Sequence, residues 1–479
     1  MILESKKRTK KITSDIESNQ RYGNDFHKIE RLKFNFFIAL FILLSLNLPY
    51  SSFAQDKKEL TIDDCLKIGM ENSKLLKISR SKLKSAESKS KEANAAALPS
   101  LKLNAGYSRL SEIERDFSSF SSSTLTSGTA SLINTFSPLI YNNYNVRLTL
   151  SQPVFTGFRL SASSNLQKHS AEATTKDFDK DKSQLVFDIK NNFWSYYKAN
   201  EMRKSIEENI SQTQAHLADV ESFYKNGMAT NNEVLKVKVQ LSNLQILKID
   251  AENLAQITMM ALNNTLGMPV LTNTELKASV DFKESTQENL NQLVSTAVTE
   301  RPEINAMKYR VKMGEDGIRI AKSGWYPQIN FLANFYYLNP NQRIFPMKDE
   351  FNGTWDLGFN LSFDLWNWQT YEHQTQQAVE NLNQATLGLE QLKDAITLEV
   401  AQSYSNLFRS KEKISVSQDA VKQAEENYRV TNEKFKSGVA INSDLLDAES
   451  ALLNAKINLA TAIADYEISL AKLERTIAK

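Results

Sequence analysis

Apolar and polar residues alternate with a period of two over four short stretches of the chain. Leu101, Leu103, Ala105 and Tyr107 alternate with Lys102, Asn104, Gly106 and Ser108. Tyr144, Val146, Leu148 and Leu150 alternate with Asn145, Arg147, Thr149 and Ser151. Ile329, Phe331, Ala333, Phe335 and Tyr337 obey the same rule, as do Trp355, Leu357, Phe359, Leu361 and Phe363. Successive side chains of a strand point to opposite faces, so each stretch predicts a strand with one apolar face. About eight to ten residues per strand approaches what a tilted strand needs to cross a bilayer. Aromatic residues crowd the strand ends, the pattern of a transmembrane barrel wall. The edge of a soluble β-sandwich would show the same alternation.

Between these strands the period changes to that of a helix. Cys65, Ile68, Leu75, Leu76, Ile78, Leu83, Ala86 and Ala93 mostly keep helical spacing and predict one helix from Thr61 to Leu98, stopped by Pro99. No proline interrupts Phe158 to Lys225 or Trp368 to Ser437, and each stretch would extend roughly 100 Å as a continuous helix. In the second, Ala378, Leu382, Ala385, Leu389, Leu392 and Ile396 step like a coiled-coil seam. The spacing then slips through Val400, Tyr404 and Leu407, a stutter that locally unwinds a supercoil. Gly227 and Gly438 break the two long helices, and a new helix follows each, ending near Leu266 and Ile477. The residues 117–137, rich in Ser and Thr, read as a loop, and 267–299 as a small mixed α/β patch.

The two halves repeat each other. Gly227 and Gly438 lie 211 positions apart, and the same offset pairs Phe193 with Tyr404, Asn231 with Asn442 and Leu262 with Leu473. Pro99 and Pro327 lie 228 apart, so the first copy holds 17 extra residues upstream of Leu150. An internal duplication of this kind is an architectural signal. It divides the chain into an N-terminal extension (1–54), a first repeat (55–268), a linker (269–299) and a second repeat (300–479). Four strands cannot close a barrel, and an open sheet edge in hydrocarbon leaves backbone groups unsatisfied at several kcal/mol each. The smallest outer-membrane barrels have eight strands, so the chain is expected to oligomerise.

Composition narrows the function further. Among 479 residues the formal net charge is +2, which points to no nucleic-acid partner. Lys28, Arg31 and Lys33 precede an apolar run from Phe36 to Leu46 and small residues at Ser52 and Ala54, as in a secretory signal cut after Ala54. A membrane anchor is the alternative. Cys65 stands alone and cannot form an intramolecular disulfide; a helix cysteine explains it. The histidines at 27, 169, 216 and 373 have no partners at metal-ligand spacing, and no catalytic, nucleotide-binding or cofactor motif is present. The chain reads as a non-enzyme. A trimeric coiled-coil structural or adhesive surface protein would explain the helices but not the strand pairs, and a general porin needs far more strands.

Several segments resemble the TolC-type outer membrane efflux protein family. Leu60-Thr-Ile-Asp-Asp-Cys-Leu with Glu71-Asn-Ser-Lys-Leu is similar to its first helix, and Glu300-Arg-Pro-Glu-Ile to the counterpart in the second half. Ala97-Leu-Pro-Ser-Leu and Trp325-Tyr-Pro-Gln-Ile resemble its helix-to-strand junctions, and Gln152-Pro-Val-Phe-Thr-Gly its strand-to-helix exit. The second copy departs at that exit with Phe363-Asp-Leu-Trp-Asn-Trp, so a different corner is expected there. The resemblance implies a mainly α fold with β: a homotrimer with a twelve-stranded outer-membrane β-barrel, four strands per chain. A long α-helical barrel with a small equatorial α/β region would continue it through the periplasm of a Gram-negative cell. The implied function is an exit duct, passively conducting what an inner-membrane RND or ABC pump and a periplasmic adaptor (membrane fusion) protein deliver. Its partners would be those proteins, further copies of itself and outer-membrane lipids, with no cofactor and no metal.

The resemblance also assigns residues. Gly227, Met228, Ala229 and Thr230, with Gly438, Val439, Ala440 and Ile441, match the tips that dock the adaptor. A glycine cap with a small-residue turn accounts for the same sequence structurally. Asp444 and Asp447, three apart on one helix face, match an acidic constriction of the aperture; a solvated helix N-terminus also favours Asp. The Tyr and Arg that lock the closed tip in the family are replaced by Phe435 and Ala440. A different or weaker lock is therefore implied, with Asn232, Glu233, Phe435 and Asn442 as gate neighbours. Substituting Phe435 or Ala440 alone is expected to leave leak conductance unchanged.

Overall fold

Pro99 ends a helix, and the chain leaves it directly as a strand. In the computed structural model, which describes residues 58–112, 139–278 and 289–478, β2 (Ser100–Arg109) pairs antiparallel with β3 (Asn142–Thr156). β3 pairs with β5 (Gln328–Asn339), and β5 with β6 (Asn352–Ser362), giving one four-stranded sheet in the order β2-β3-β5-β6. The strand leaving the first copy thus joins the strand entering the second. The register sets Leu103, Leu148, Phe335 and Trp355 side by side across the sheet. One residue away, Lys102, Thr149, Asn334 and Asp356 form the adjacent row. Thr149 donates to Asn334 (2.8 Å) and Asn334 to Asp356 (2.8 Å), so the polar face is stitched by its own side chains. The N-terminal segment expected to be a secretory signal and the Ser-rich stretch 117–137 lie outside the described residues.

The helix expected from Thr61 to Leu98 is two helices, α1 (Ile62–Asn72) and α2 (Lys74–Ala95). Ser73 separates them: its backbone N–H closes α1 on Gly69 while its hydroxyl accepts from Leu76 N–H to start α2. The turn after the first tip helix presses on this break, since a Cβ on Gly267 would meet the Asn72 carbonyl oxygen at 2.8 Å. The second copy breaks at the equivalent place, Arg301, between α5 (Leu290–Glu300) and α6 (Pro302–Lys322). Pro302 suits the first position of a helix and pushes the residue before it out of helical geometry. Serine and proline thus achieve the same kink by different chemistry.

The long helices are α3 (Arg159–Lys225) and α7 (Thr370–Lys436), 67 residues each. Two further helices return from their tips, α4 (Asn231–Leu266) and α8 (Asn442–Thr476). Along α3, neighbours change in order. Ser164 meets Asn94 of α2, Asp177 meets Arg310 of α6 (2.6 Å), and Glu208 meets Lys456 of α8 (2.9 Å). α7 behaves likewise: its seam is half-buried from Ala378 to Leu392 and buried at Ile396, Val400 and Leu407.

The mid-region core packs Ile189, Phe193 and Trp194 of α3 against Leu60, Cys65, Leu262 and Leu266. Beside it, β1 (Lys58–Leu60) pairs with β4 (Thr274–Leu276) in a two-stranded sheet. Buried Asn263 donates to the Val270 and Thr272 carbonyls and accepts from Thr274, fixing the loop that carries β4.

The two exits from sheet to long helix differ in sequence, yet their backbones agree. Gly157 and Phe158 take left-handed conformations (φ 60° and 66°), and so do Trp368 and Gln369 (φ 54° and 62°), 211 positions later. In the first copy glycine is obligatory, because a Cβ would sit 2.5 Å from the Ser323 carbonyl oxygen. In the second, Trp368 is almost fully exposed and its side chain has room. The corner expected to differ keeps its shape, at a cost of about 1–2 kcal/mol per left-handed residue bearing a side chain.

An ion-pair cluster ties the break at Arg301 to α7 and α8. Buried Arg301 donates to Glu399 (2.6 Å) and Glu303 (2.9 Å), while Lys472 (2.7 Å) and Arg475 (3.3 Å) also donate to Glu399. Burial pushes the Glu399 carboxyl up, but the hydrogen bonds from Lys472 and Arg301 outweigh it and pull it from 4.5 down to about 2. A carboxyl held below its unfolded value stabilises the fold above that value and loses its contribution as pH falls through the folded one. The stability gap between the wild type and Glu399→Gln should therefore be full above about pH 5 and shrink steadily towards pH 2, measured by denaturant melts across pH.

Candidate functional site

At the far end from the sheet, each long helix ends in the same turn. Gly227 N–H bonds the Tyr224 carbonyl and Met228 N–H the Phe223 carbonyl, while Gly438 and Val439 repeat the pattern on Phe435 and Lys434. Both glycines are left-handed (φ 71° and 75°) with open space around a would-be Cβ. Conformation alone demands glycine here, as in the helix-ending turns where it is favoured.

Beyond the glycines the tips diverge. Thr230 caps α4: its hydroxyl accepts from Glu233 N–H (3.3 Å), and the Glu233 carboxylate accepts from Thr230 N–H (2.6 Å). Ile441 holds the equivalent position on α8 and caps nothing. It is 62 % exposed, as Val439 is 75 % and Met228 69 %. The second tip has given up a helix cap and shows water an isoleucine instead.

Inside, Phe435 packs with Val220, Val234, Val237 and Leu445, flanked by Ala229 and Ala440. Its ring stands 5.0 Å from His216 and 5.6 Å from Phe223. Phe435 is therefore a core residue of the tip and not a surface latch, and truncating a buried phenylalanine typically costs about 3–5 kcal/mol. Asn442 is buried and donates to the Glu233 backbone carbonyl (3.2 Å), joining the start of α8 to the start of α4. Asn232 is exposed. The structure thus brings Glu233, Asn442 and Phe435 into one cluster. Asp444 and Asp447 lie outside it, exposed, with neither carboxylate in an ion pair among the described residues.

Sequence reasoning missed a buried polar stripe just above the tip. Asn209, Thr213 and His216 of α3 face Glu449 of α8, and all four are buried. Thr213 donates to the Glu449 carboxylate (3.1 Å) and Asn209 to its backbone carbonyl (3.3 Å). The signal was present: Ile206, Asn209, Thr213, His216 and Val220 step by three and four, so polar residues occupy seam positions.

Two antiparallel hairpins in one sheet, two very long helices and paired helical tips are the design of an outer membrane channel subunit. The family model described as outer membrane efflux protein matches residues 69–268 and 293–479, and the chain belongs to this family. It is similar to the alkaline protease secretion protein AprF of Pseudomonas aeruginosa, 21 % identical over 343 residues, 70 % of this chain and 69 % of that one. It is also similar to the outer membrane protein TolC of Salmonella enteritidis, 21 % identical over 335 residues, 68 % and 67 % of the two chains. Its fold matches the CmeC outer membrane channel of Campylobacter jejuni with a TM-score of 0.74 at 14 % identity, covering 87 % and 85 %. The protein is an outer membrane channel component and not an enzyme. No helix among the described residues is long and apolar enough to cross a membrane.

The tip asymmetry generates a prediction. Ile441→Thr would create a cap with Asp444 three residues on, and Thr230→Ala would remove one, each worth about 1 kcal/mol. Hydrogen exchange in the first turn of α8 should slow in the former variant, and that of α4 should quicken in the latter.

Proposed function

We propose that three copies assemble into an exit duct, with a twelve-stranded barrel in the outer membrane and a helical tunnel beneath it. The observation that carries this reading is the sheet's two open edges. β2 and β6 each have one partner, and both are lined by exposed apolar residues such as Leu101, Leu103, Trp355, Leu357, Phe359 and Leu361. An edge in hydrocarbon leaves its backbone groups unpaired, so β6 of one copy pairs with β2 of the next until the ring closes. The helices support the same assembly: Leu235, Val239, Ile246, Ile249 and Ile257 of α4 form an uncovered apolar stripe that a neighbouring protomer would bury.

In this assembly Asp444 and Asp447 of three protomers ring the aperture and disfavour anions. The exposed Met228, Val439 and Ile441 form the apolar rim on which a periplasmic adaptor docks, linking the duct to an inner-membrane pump. Alkaline protease secretion in the name of one relative and efflux in the name of the family leave two cargo classes in view: a polypeptide and small molecules. The duct itself does no chemistry and moves cargo passively.

Single-channel conductance in a planar bilayer tests the reading. The wild type should give a small, steady, cation-selective current, and the Asp444→Asn/Asp447→Asn variant a larger share of anion current. A current indifferent to the variant would keep the duct but remove these aspartates from its narrowest point.

A further inference from the structure

The stripe above the tip contains two buried ionisable side chains that the duct reading leaves unused. His216 is 2 % exposed and Glu449 1 %, and His216 Nδ1 lies 3.2 Å from Glu449 Oε1. The two side chains are close enough to pair, but their geometry is not that of a hydrogen bond. Neither His216 nitrogen, nor Glu449 Oε1, has a hydrogen-bond partner among the described residues. Thr213 donates to Oε2, the opposite oxygen (3.1 Å). The surroundings are otherwise apolar: Phe435 of α7 closes the site on the tip side, and Val220 and Leu445 lie one turn below.

Charge accounting limits the states this pair can hold. One proton between them leaves the pair neutral overall, whether it sits on the imidazole or on the carboxyl. None leaves a lone buried carboxylate, and two leave a lone buried imidazolium. Either lone charge is far costlier than the pair. Other charges nearby do not relieve it. On α7 the facing titratable group is the Tyr428 hydroxyl, which burial and Glu449 both push up, so it stays neutral; Arg429 beyond it is exposed and engaged with Glu426 and Glu433. On α3 and α8, Glu208 and Lys456 satisfy each other at 2.9 Å about two turns away, and Asp219 and Asp447 lie outside the buried stripe. α4 offers Gln240, bonded to Ser450 (3.5 Å), and exposed Lys236 and Lys238, the latter paired with Glu221.

We propose that His216 and Glu449 form a single-proton clasp that holds α8 against α3 and keeps the aperture at rest. The proposal rests on the duct reading. It supplies the lock for which Phe435 and Ala440 lack the chemistry, and it places that lock inside the wall of one protomer. Gaining or losing a proton leaves one charge unpaired, α8 moves off α3, and the tip it shares with Phe435 loosens.

Conductance against pH, on the full-length assembly, tests it. In the wild type, open probability should be lowest near neutral pH and rise on both sides by at least about a hundredfold, the effect of an unpaired buried charge. His216→Gln should abolish the acid limb, because Glu449 becomes neutral there. Glu449→Gln should abolish the alkaline limb, because His216 becomes neutral there. His216→Leu/Glu449→Leu should be flat. A second readout does not depend on conduction: the distance between spin labels on Met228→Cys and Val439→Cys, in a Cys65→Ser background, followed across the same pH range. Labels that separate on both sides of neutrality in the wild type but not in the double leucine variant support the clasp, even if no variant conducts; silence in the bilayer would then count against the duct. Label distances and currents indifferent to pH and to all three variants overturn the clasp while leaving the duct intact.

Discussion

Every backbone N–H and C=O in a hydrocarbon layer must find a partner, and this one constraint governs the molecule. Within the chain the four strands are antiparallel neighbours in one sheet that both copies of the repeat share, and in the proposed barrel the sheet's two ends would be met by other chains. The rest follows from where those strands begin and end. Each hairpin leaves the sheet through a left-handed pair of residues that turns the chain into a 67-residue helix. A helix that long cannot cover its own apolar stripe. Shorter helices therefore line up beside it in series, α2 and α6 towards the sheet and α4 and α8 towards the tips.

Much of this was legible in the sequence because it is periodic. Alternation at Leu101 to Tyr107 and Trp355 to Phe363 located the strands, and the proline-free runs located the long helices to within a residue or two. Gly227 and Gly438 marked the tips because left-handed backbone selects for glycine. The misreadings arose where local chemistry has several solutions. Ser73 does not interrupt a helical pattern by its type alone, and only the packing of Gly267 against Asn72 shows that the helix must break there. Phe363-Asp-Leu-Trp-Asn-Trp gave no hint that Trp368 and Gln369 copy the backbone of Gly157 and Phe158, since the missing glycine suggested another path. The acidic pair Asp444 and Asp447 was visible as a helix-face spacing, whereas the facing of His216 and Glu449 was not, because they lie on separate helices.

Duplication gave two tips, and divergence gave them different chemistry. The first retains a reciprocal cap between Thr230 and Glu233, and the Glu233 carbonyl in turn receives Asn442. The second exposes Ile441 at the position a cap would occupy. The buried stripe joins α3 to α8 just above the tips, and there the wall is least like an apolar seam.

The equal length of α3 and α7 has a geometric consequence. Both start directly from the same sheet and run for the same number of residues, so their tips reach the same level. In the proposed ring of three chains the tips would form a flat crown of six points, evenly stepped in shape but alternating in chemistry. A ligand that senses outline alone meets six equivalent places to sit. One that senses the paired Val439 and Ile441 would meet three, so that a single rim could offer two stoichiometries.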